Sequence, residues 1–554
     1  MSRKLKYIIP LALAFAFGSC SKSAFNINVD PNNPSTLPVN NLLPQIEKNL
    51  GDASAISSGM SATLEVYTHR ISVREAPNGY NVAGSSGYVD GMWDTYYSST
   101  LTNADIIIEK ATPVGNFKYA GIAKIIKAFG FSQLVDVFGD VPYSEATKLL
   151  NEIKYPKFDD DATVYPGLIT LIDQGIADLN NTAINPLSPG DDDVIYGGDV
   201  IRWVKAANTL KLKLYTQMRL VKNVSADVTA LLANPASLIN STEDNFQLPY
   251  SSDNKNPGLS DYGAAQRTQY ISPWFYEILK GYNQNIFTGN QDPRIPYYFY
   301  NQVEDGADET ADGLPTEYRD GSFVSIYFGS NGPNSGFAQQ NTMALLGIYP
   351  VGGKFDAGAG SPISIASGTG AAPYRFITYA DRLYLEAELI KSGVISGDAG
   401  AKTLAAITES FKQVDAVVAN TGTAGIPELA GSPDVTDYID NVMAEYAGNV
   451  SKQLEIIMTQ KWISSFGSAI DAYTDYRRTG FPVIFDPNNP DMAPGGKAQP
   501  PVDGNPLVNP QPAVLVSANL DFPLSLPWPA SELTSNSSAP PQKQPSTYKV
   551  FWQP

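Results

Sequence analysis

The sequence has almost none of the side chains that most catalytic and metal sites require. It contains one histidine and one cysteine in 554 residues. A zinc site would therefore depend almost entirely on carboxylates, and a serine–histidine–aspartate triad would have to use His69. No phosphate-binding glycine loop and no HExxH pair is present either. These absences disfavour an enzyme, although two carboxylates far apart in the chain would suffice for glycoside hydrolysis.

Positive charge is also scarce. Lysine and arginine number 38 against 56 aspartates and glutamates, which gives a formal net charge of −18 at pH 7. Such a surface repels phosphate backbones and anionic lipid headgroups. Nucleic acid is therefore excluded as a favoured partner, and simple charge attraction would not hold this chain at a membrane.

One feature of the N-terminus predicts membrane attachment by another route. The basic residues Arg3, Lys4 and Lys6 precede an apolar run over 7–17, which is too short to span a bilayer and is typical of a secretory leader. Gly18 and Ser19 then precede the lone cysteine, and the phrase FGSC resembles a lipobox. We expect residues 1–19 to be a signal peptide and Cys20 to be acylated. The mature chain then has no second cysteine for a disulfide.

Apolar residues at spacings of three and four predict a mainly α-helical protein. The stripe Val200, Val204, Ala207, Leu210, Leu214 and Met218 is one example, with Asp199 as the expected N-cap. Further helices are predicted over 40–50, 100–111, 117–137, 164–181, 376–390, 404–418 and 450–467. The stripes at 376–390 and 404–418 are expected to form a helical hairpin.

The chain organisation follows from these patterns. Residues 20–39 are predicted to be a lipidated tether with a first turn, and 481–554 an irregular C-terminal segment. Glycine, proline, asparagine and tyrosine replace the helical stripes over 236–372, which indicates loops and short strands. This loop-rich insertion would separate two parts of a helical scaffold, 40–235 and 373–480.

Aromatic loop segments are the best candidates for ligand contacts. Tyrosine and tryptophan rings stack on the flat C–H faces of sugars, and amide side chains pair with the hydroxyl groups around them. Peptides also stack on these rings, so the ligand class stays open, and any single ring could instead fill a small core. The predicted ligand-binding residues are Tyr80, Asn81, Tyr88, Trp274, Tyr298, Tyr327 and Asn331.

Other notable residues have structural interpretations. The acidic runs 159–161 and 191–193 are poor candidates for calcium, because adjacent carboxylates in polar loops are usually solvated and further oxygen ligands are not evident. A core role is expected for the aromatic residues Trp203, Trp462, Tyr473 and Tyr476. An ion-pair cluster is expected among Arg477, Arg478, Asp471 and Asp475.

Several phrases resemble those of SusD/RagB-type nutrient-binding lipoproteins. These are INVDPNNPS at 27–35, AKIIKAFGFSQLVDVFGDVPYSEA at 123–146, DVIYGGDVIRWVKAANTLKLKLYTQMR at 193–219, YRFITYADRLYLEAELIKSG at 374–393, IIMTQKWISSFGSAIDAYTDYRRTGFP at 456–482, LPWPASELTSN at 526–536 and KVFW at 549–552. Two departures exist. Leu524, Ser525 and Trp528 occupy the region where the family usually has an RxxYP phrase. The tether SKSAFN lacks the acidic cluster that accompanies surface export in many relatives.

The resemblance implies a tetratricopeptide-like helical superhelix with a loop-rich ligand-binding region. It also implies a non-catalytic protein, anchored by acyl chains to outer-membrane lipid and facing the cell exterior. Such a protein passes an oligomeric nutrient, usually a glycan, to a TonB-dependent β-barrel transporter. The alternatives are a peptide-binding member of the same system, a surface glycoside hydrolase, and a scaffold lipoprotein with no ligand of its own.

Overall fold

The computed structural model describes residues 37–57, 59–148, 152–183, 186–264, 267–306, 317–330, 340–486, 492 and 520–554. The predicted signal peptide, Cys20 and Asn331 lie outside the described residues. None of the helices in these ranges is long and apolar enough to cross a bilayer.

Helices dominate the described chain. They are α1 (Val39–Ser54), α2 (Met60–Tyr67), α3 (Gly87–Asp94), a π-helix (Thr95–Leu101), α4 (Thr102–Ala111), α5 (Phe117–Phe138), α6 (Asp161–Leu179), α7 (Val200–Met218), α8 (Ser225–Leu232), α9 (Pro273–Lys280), α10 (Ile295–Tyr298), α11 (Ile348–Val351), α12 (Tyr379–Lys391), α13 (Ala399–Thr421), α14 (Pro433–Gly448), α15 (Gln453–Ser464), α16 (Ala469–Thr479) and α17 (Ala530–Ser535). The mainly α fold predicted from the apolar stripes is therefore confirmed.

The strands are short and pair only two at a time within the described ranges. They are β1 (Ile71–Val73), β2 (Val141–Pro142), β3 (Phe158–Asp159), β4 (Phe246–Leu248), β5 (Gln269–Ile271), β6 (Phe299–Tyr300), β7 (Tyr318–Asp320), β8 (Phe323–Ser325), β9 (Leu345–Leu346) and β10 (Tyr374–Ile377). The antiparallel pairs are β1–β5, β2–β3, β4–β10, β6–β9 and β7–β8. Two of these pairs, β6–β9 and β7–β8, lie within the 236–372 region. Two others, β1–β5 and β4–β10, connect that region to the parts of the chain before and after it.

Helix α5 is the centre of the N-terminal helices. Nearly every side chain from Tyr119 to Phe138 is buried, because α4, α6 and α7 pack around it. Gly121 and Gly175 allow α5 and α6 to approach closely, since a Cβ atom at Gly121 would lie 2.8 Å from the Gly175 carbonyl oxygen. Such adjacent helix pairs are consistent with the expected tetratricopeptide-like arrangement.

The predicted hairpin of two helices is formed by α12 and α13. Its first helix begins later than predicted, because Phe376 belongs to β10, where it stands at the irregularity between Arg375 and Ile377 and its ring lies 4.8 Å from that of Phe246 on β4. The helix begins after Thr378, whose hydroxyl accepts from the Asp381 N–H at 3.1 Å while the Asp381 carboxylate accepts from the Thr378 N–H at 2.8 Å. This reciprocal capping satisfies donors that a helix start leaves free.

Buried charges join the C-terminal helices. Glu388 accepts from Arg219 at 2.8 Å and from Arg478, and both Glu388 and Arg478 side chains are fully buried. Arg478 also contacts Asp475 at 2.5 Å, and Lys461 contacts the same carboxylate at 2.8 Å. Burial alone would raise the pKa of Asp475, but the Lys461 and Arg478 cations outweigh burial and lower it. The network therefore connects α7, α12, α15 and α16.

The predicted cluster around the two adjacent arginines is only partly formed. Arg478 pairs with Asp475, whereas Arg477 donates to the backbone carbonyls of Asp136 and Leu524. Asp471 instead pairs with Lys213 on α7 at 2.6 Å. The difference arises because the last turn of α16 lies against the end of α5 and the C-terminal segment, whose free carbonyl groups require donors.

The expected core aromatics are largely buried. Trp203 and Tyr473 have no exposed surface, Trp462 is 1% exposed, and Tyr476 is half-buried. The Trp203 indole N–H donates to Asp193 at 2.7 Å, and Trp462 donates to the Thr68 carbonyl at 3.1 Å. Their polar atoms are thus satisfied inside the protein, as large buried aromatics require.

Candidate functional site

Two of the aromatic loop segments singled out in the sequence meet in the structure. The Asn78 side chain accepts a hydrogen bond from the Gly329 N–H at 2.8 Å. β1 also pairs with β5, with Ile71 opposite Ile271, which brings the loop after β1 beside the start of α9. The loop around residue 80, the chain around residue 328 and the region before α9 therefore form one neighbourhood.

Tyr80 lies at the centre of this neighbourhood. Its ring lies 5.4 Å from Tyr67, 4.8 Å from Phe328 and 5.4 Å from Phe522, measured between centroids. Its hydroxyl group lies 2.6 Å from Nε2 of His69. Burial, with smaller effects from nearby Tyr and Asp side chains, raises the pKa of Tyr80, so the phenol stays neutral.

His69 and Tyr80 share an uncommon backbone conformation. Their φ angles are 56° and 58°, in the left-handed region that residues other than glycine rarely adopt. Strained residues of this kind persist where the surrounding structure holds them firmly, and they cluster at ligand sites and clamps. Two of them in direct contact mark this part of the fold as a candidate site.

His69 is a neutral, structural imidazole in this arrangement. It is fully buried against Phe328, at 4.4 Å between ring centroids, and Phe485, at 5.7 Å. Burial lowers the pKa of His69 to about 3. Its Nδ1 atom has no hydrogen-bond partner within the described part of the chain. The imidazole therefore holds Tyr80 and is too enclosed for proton exchange with a bound molecule.

A cavity of about 240 Å³ opens beside Tyr80. Two tyrosine rings form one side, and the C-terminal segment forms the other. The polar groups at its rim are Asp521, Gln544 and Ser546, which can accept and donate hydrogen bonds. The remaining lining residues are Val82, Leu520, Pro523, Pro527 and Pro545. Flat aromatic and proline surfaces with a few polar groups suit a small ring-shaped polar ligand.

Three of the predicted ligand-binding aromatics are buried instead of facing solvent. Trp274 is 6% exposed, and its indole N–H donates to the Val483 carbonyl at 3.3 Å. Tyr298 has no exposed surface and stacks on Tyr349 at 4.9 Å. Tyr327 is 1% exposed. In this conformation none of the three presents a ring face to a ligand, because the rings fill the core of the loop region.

Of the other predicted residues, Asn81 and Tyr88 keep accessible surface, whereas Tyr80 is 6% exposed and reaches only the cavity beside it. Tyr88 is 37% exposed at the start of α3, just after the N-cap Ser86. Asn81 is half-buried, and its side chain accepts from the Gly79 N–H at 3.3 Å. Tyr80 borders the cavity, so Tyr80, Asn81 and Tyr88 are the described candidates that a ligand can reach along one continuous stretch of chain.

Both acidic runs cap turns and helices. Asp193 accepts from the N–H groups of Tyr196 at 3.0 Å and Gly198 at 2.8 Å, in addition to the Trp203 indole. Asp160, Asp161 and Asp140 bring carboxylate oxygens within 4.8 Å of one another, but each of them also accepts a backbone N–H. Their geometry is explained by capping, without a cation.

Some residues of the site were missed by the sequence interpretation. Phe328, Phe485 and Phe522 surround His69 and Tyr80, and Asp521 and Gln544 provide the polar rim. All of these except Phe328 lie in the C-terminal segment, which the sequence showed only as irregular and proline-rich. No local spacing links them to Tyr80, since more than 400 residues separate the two parts of the chain.

The fold and the cavity define a tetratricopeptide-like helical protein with a loop-rich region and with a small aromatic cavity between the N-terminal part of the chain and the C-terminal segment. Its family follows from comparison with known proteins. Residues 31–501 match the family model SusD-like_2, described as starch-binding and associating with the outer membrane. The chain belongs to this family, and the resemblance to SusD/RagB proteins is thereby confirmed.

Solved structures share the fold. A chitin-binding protein is 19% identical, with a TM-score of 0.65 over 90% of this chain and 94% of that one. A SusD homologue from Bacteroides fragilis is 20% identical, with a TM-score of 0.64 over 91% and 94%. A chitin-binding SusD homologue from Flavobacterium johnsoniae is 19% identical, with a TM-score of 0.64 over 93% and 98%. A search among curated proteins found no match.

Proposed function

We propose that this chain is a non-catalytic carbohydrate-binding protein of the outer membrane that delivers its ligand to a TonB-dependent β-barrel transporter. The single observation that carries the binding role is the cavity beside Tyr80, in a chain whose family is described as starch-binding. The chitin-binding structural neighbours support a carbohydrate as the ligand class. The cavity is smaller than the roughly 300–1,000 Å³ of drug-sized ligand pockets, so it suits one ring of an oligomer.

The proposed recognition has two parts. The Tyr80 ring and its neighbours give an aromatic wall for the C–H face of a sugar, while Asp521, Gln544 and Ser546 face the hydroxyl groups. Asp521 and Gln544 are exposed, so ligand binding would desolvate them without first breaking buried contacts. His69 keeps the Tyr80 phenol in place through the 2.6 Å contact.

Absence of catalysis is part of this proposal. The only histidine is enclosed among Tyr80, Phe328 and Phe485, and burial lowers its pKa to about 3, far below the range a general base needs. Asp521 is the only carboxylate that lines the cavity among the described residues. Glycoside hydrolysis normally uses two carboxylates that flank the scissile bond.

Binding can be tested by titrating the purified protein with starch- and chitin-derived hexasaccharides. The double variant Asp521→Ala/Gln544→Ala should weaken binding by about 2 kcal/mol, roughly 30-fold, because two polar contacts are lost. The exposed Glu428→Ala, in the turn between α13 and α14, is the matched control and should bind normally. Unchanged affinity in the double variant would remove this cavity from the binding site.

Delivery is tested separately by purification in mild detergent. A lid that seats on a barrel needs a large interface, beyond the roughly 1,600 Å² of a standard complex. The protein should therefore bring down a much larger β-barrel membrane protein from cells grown on the inducing carbohydrate. Recovery of the chain alone under these conditions would contradict the delivery role while leaving carbohydrate binding intact.

A further inference from the structure

A second and larger concavity lies between α3, the π-helix and α17. Its volume is about 410 Å³, within the range of roughly 300–1,000 Å³ that ligand pockets occupy. Its walls come from α3 and the π-helix, from residues within 142–148 and 153–156, and from α17. We call it the Trp93 groove, after the aromatic residue at its base.

The aromatic shelf at the base of the Trp93 groove is the half-buried Tyr97 ring, which packs on Trp93, itself only 5% exposed. The Trp93 ring lies 4.7 Å from Tyr97 and 6.3 Å from Phe158, and it is nearly parallel to Phe158 at 20°. The Tyr97 hydroxyl donates to the Pro142 carbonyl at 2.8 Å, which fixes the half-buried ring against the opposite wall. A rigid shelf of this kind needs little ordering when a flat ligand binds.

The π-helix explains how one wall is shaped. π-helical turns are rare in proteins, and many of those that occur lie at functional sites. Here the Thr100 hydroxyl donates to the Thr95 carbonyl at 3.2 Å, and the Thr102 hydroxyl donates to the Tyr97 carbonyl at 2.7 Å. The widened turn thus places Tyr97, Ser98 and Thr102 together along the groove.

The polar rim of the groove carries more negative than positive charge. Its carboxylates are Asp90, Asp94, Glu145 and Glu532, and its amines are Lys148 and Lys154. Hydroxyl groups of serine and threonine complete the lining. Such a rim offers many acceptors to hydroxyl and ammonium groups, and it repels carboxylate and sulfate groups at close range.

We propose that the Trp93 groove is a second carbohydrate subsite, which takes an uncharged or amine-bearing sugar ring and rejects uronate and sulfated rings. The inference rests on the proposed function for the ligand class, but not on the cavity beside Tyr80. The flat shelf matches a sugar face, the hydroxyl-rich rim matches its edges, and the excess of carboxylates sets the charge preference.

The test measures binding of three hexamers to the full-length protein in mild detergent: N-acetylglucosamine, glucosamine and galacturonate. Asp94→Lys/Glu532→Lys reverses the charge of the rim without altering the shelf. Asp437→Lys/Asp440→Lys makes the same change in charge on the exposed face of α14 and serves as the matched control. Ser98→Trp fills the groove from the exposed side of the π-helix without changing the charge.

The proposal predicts that the rim variant weakens glucosamine hexamer binding at least tenfold and strengthens galacturonate binding, whereas the control on α14 changes neither. Ser98→Trp should lower the number of N-acetylglucosamine hexamers bound per protein by one. Equal effects of both lysine pairs, or normal binding by Ser98→Trp, would overturn the subsite. If Asp521→Ala/Gln544→Ala abolishes all binding while the groove variants bind normally, the proposed function stands and the subsite in the Trp93 groove is overturned. If no hexamer binds the unmodified protein, both the proposed function and the subsite are overturned.

Discussion

The enclosed histidine makes a quantitative prediction about stability and pH. An unfolded chain binds a proton on His69 below about pH 6.5, whereas burial lowers the pKa of the folded imidazole to about 3. Since the unfolded state binds more protons in that window, stability must fall as the pH is lowered through it. Each pH unit below 6.5 costs about 1.4 kcal/mol, so moving from pH 7.5 to 5.0 should cost about 2 kcal/mol from this residue alone.

The assay is urea unfolding at pH 7.5, 6.5, 5.5 and 5.0, for the unmodified protein and for His69→Asn. Asparagine tolerates the left-handed backbone at this position and does not titrate. The variant loses the packing of the ring at every pH, so its free energy of unfolding should be lower throughout. Between pH 7.5 and 5.0 that free energy should fall by about 2 kcal/mol less than it does in the unmodified protein. Carboxylates elsewhere affect both proteins alike. Parallel curves would refute the assignment of a buried, neutral His69.

Three further predictions follow from contacts described above. Glu388→Ala leaves two arginines buried without this partner and should lower the free energy of unfolding by about 3–5 kcal/mol in urea, while the exposed control Glu428→Ala should change it by less than about 1 kcal/mol. Trp274→Ala should cost about 3–5 kcal/mol in the same assay and leave hexasaccharide affinity unchanged, because the ring is core; weaker binding with normal stability would reverse that interpretation. Cys20→Ala should release the chain from the membrane fraction, since each buried acyl methylene contributes about 0.8 kcal/mol; retention after a high-salt wash would contradict lipidation.

Helices were the part of this structure that local sequence pattern could predict. The stripe from Val200 to Met218 gives a helix with the expected Asp199 cap, because a spacing of three and four is a property of one segment alone. Boundaries were less accurate, as at Phe376, where the pairing of β10 with β4 overrides the apolar spacing. α6 also begins at Asp161, a turn before the predicted 164, because Asp160 caps it.

The site was harder to predict for a physical reason. Aromatic residues in loops signal either a ligand surface or a small core, and composition does not separate these outcomes. Tyr298 and Tyr327 became core because the loop region packs around them, while Tyr80 reached a cavity only through contacts with Phe328 and Phe522. Such contacts depend on tertiary structure between distant segments, which leaves no periodic trace in the sequence.

The cavity beside Tyr80 has a consequence for the order of folding. One wall is made by residues near the start of the chain, and the other by Leu520–Ser546, close to its end. During synthesis and export the N-terminal helices emerge first and can pack locally, but contacts of such long sequence separation must wait for the last segment. Until that segment arrives, Tyr80 and His69 lack one of their supports. A chain interrupted before residue 520 would therefore carry most of the scaffold and no completed cavity.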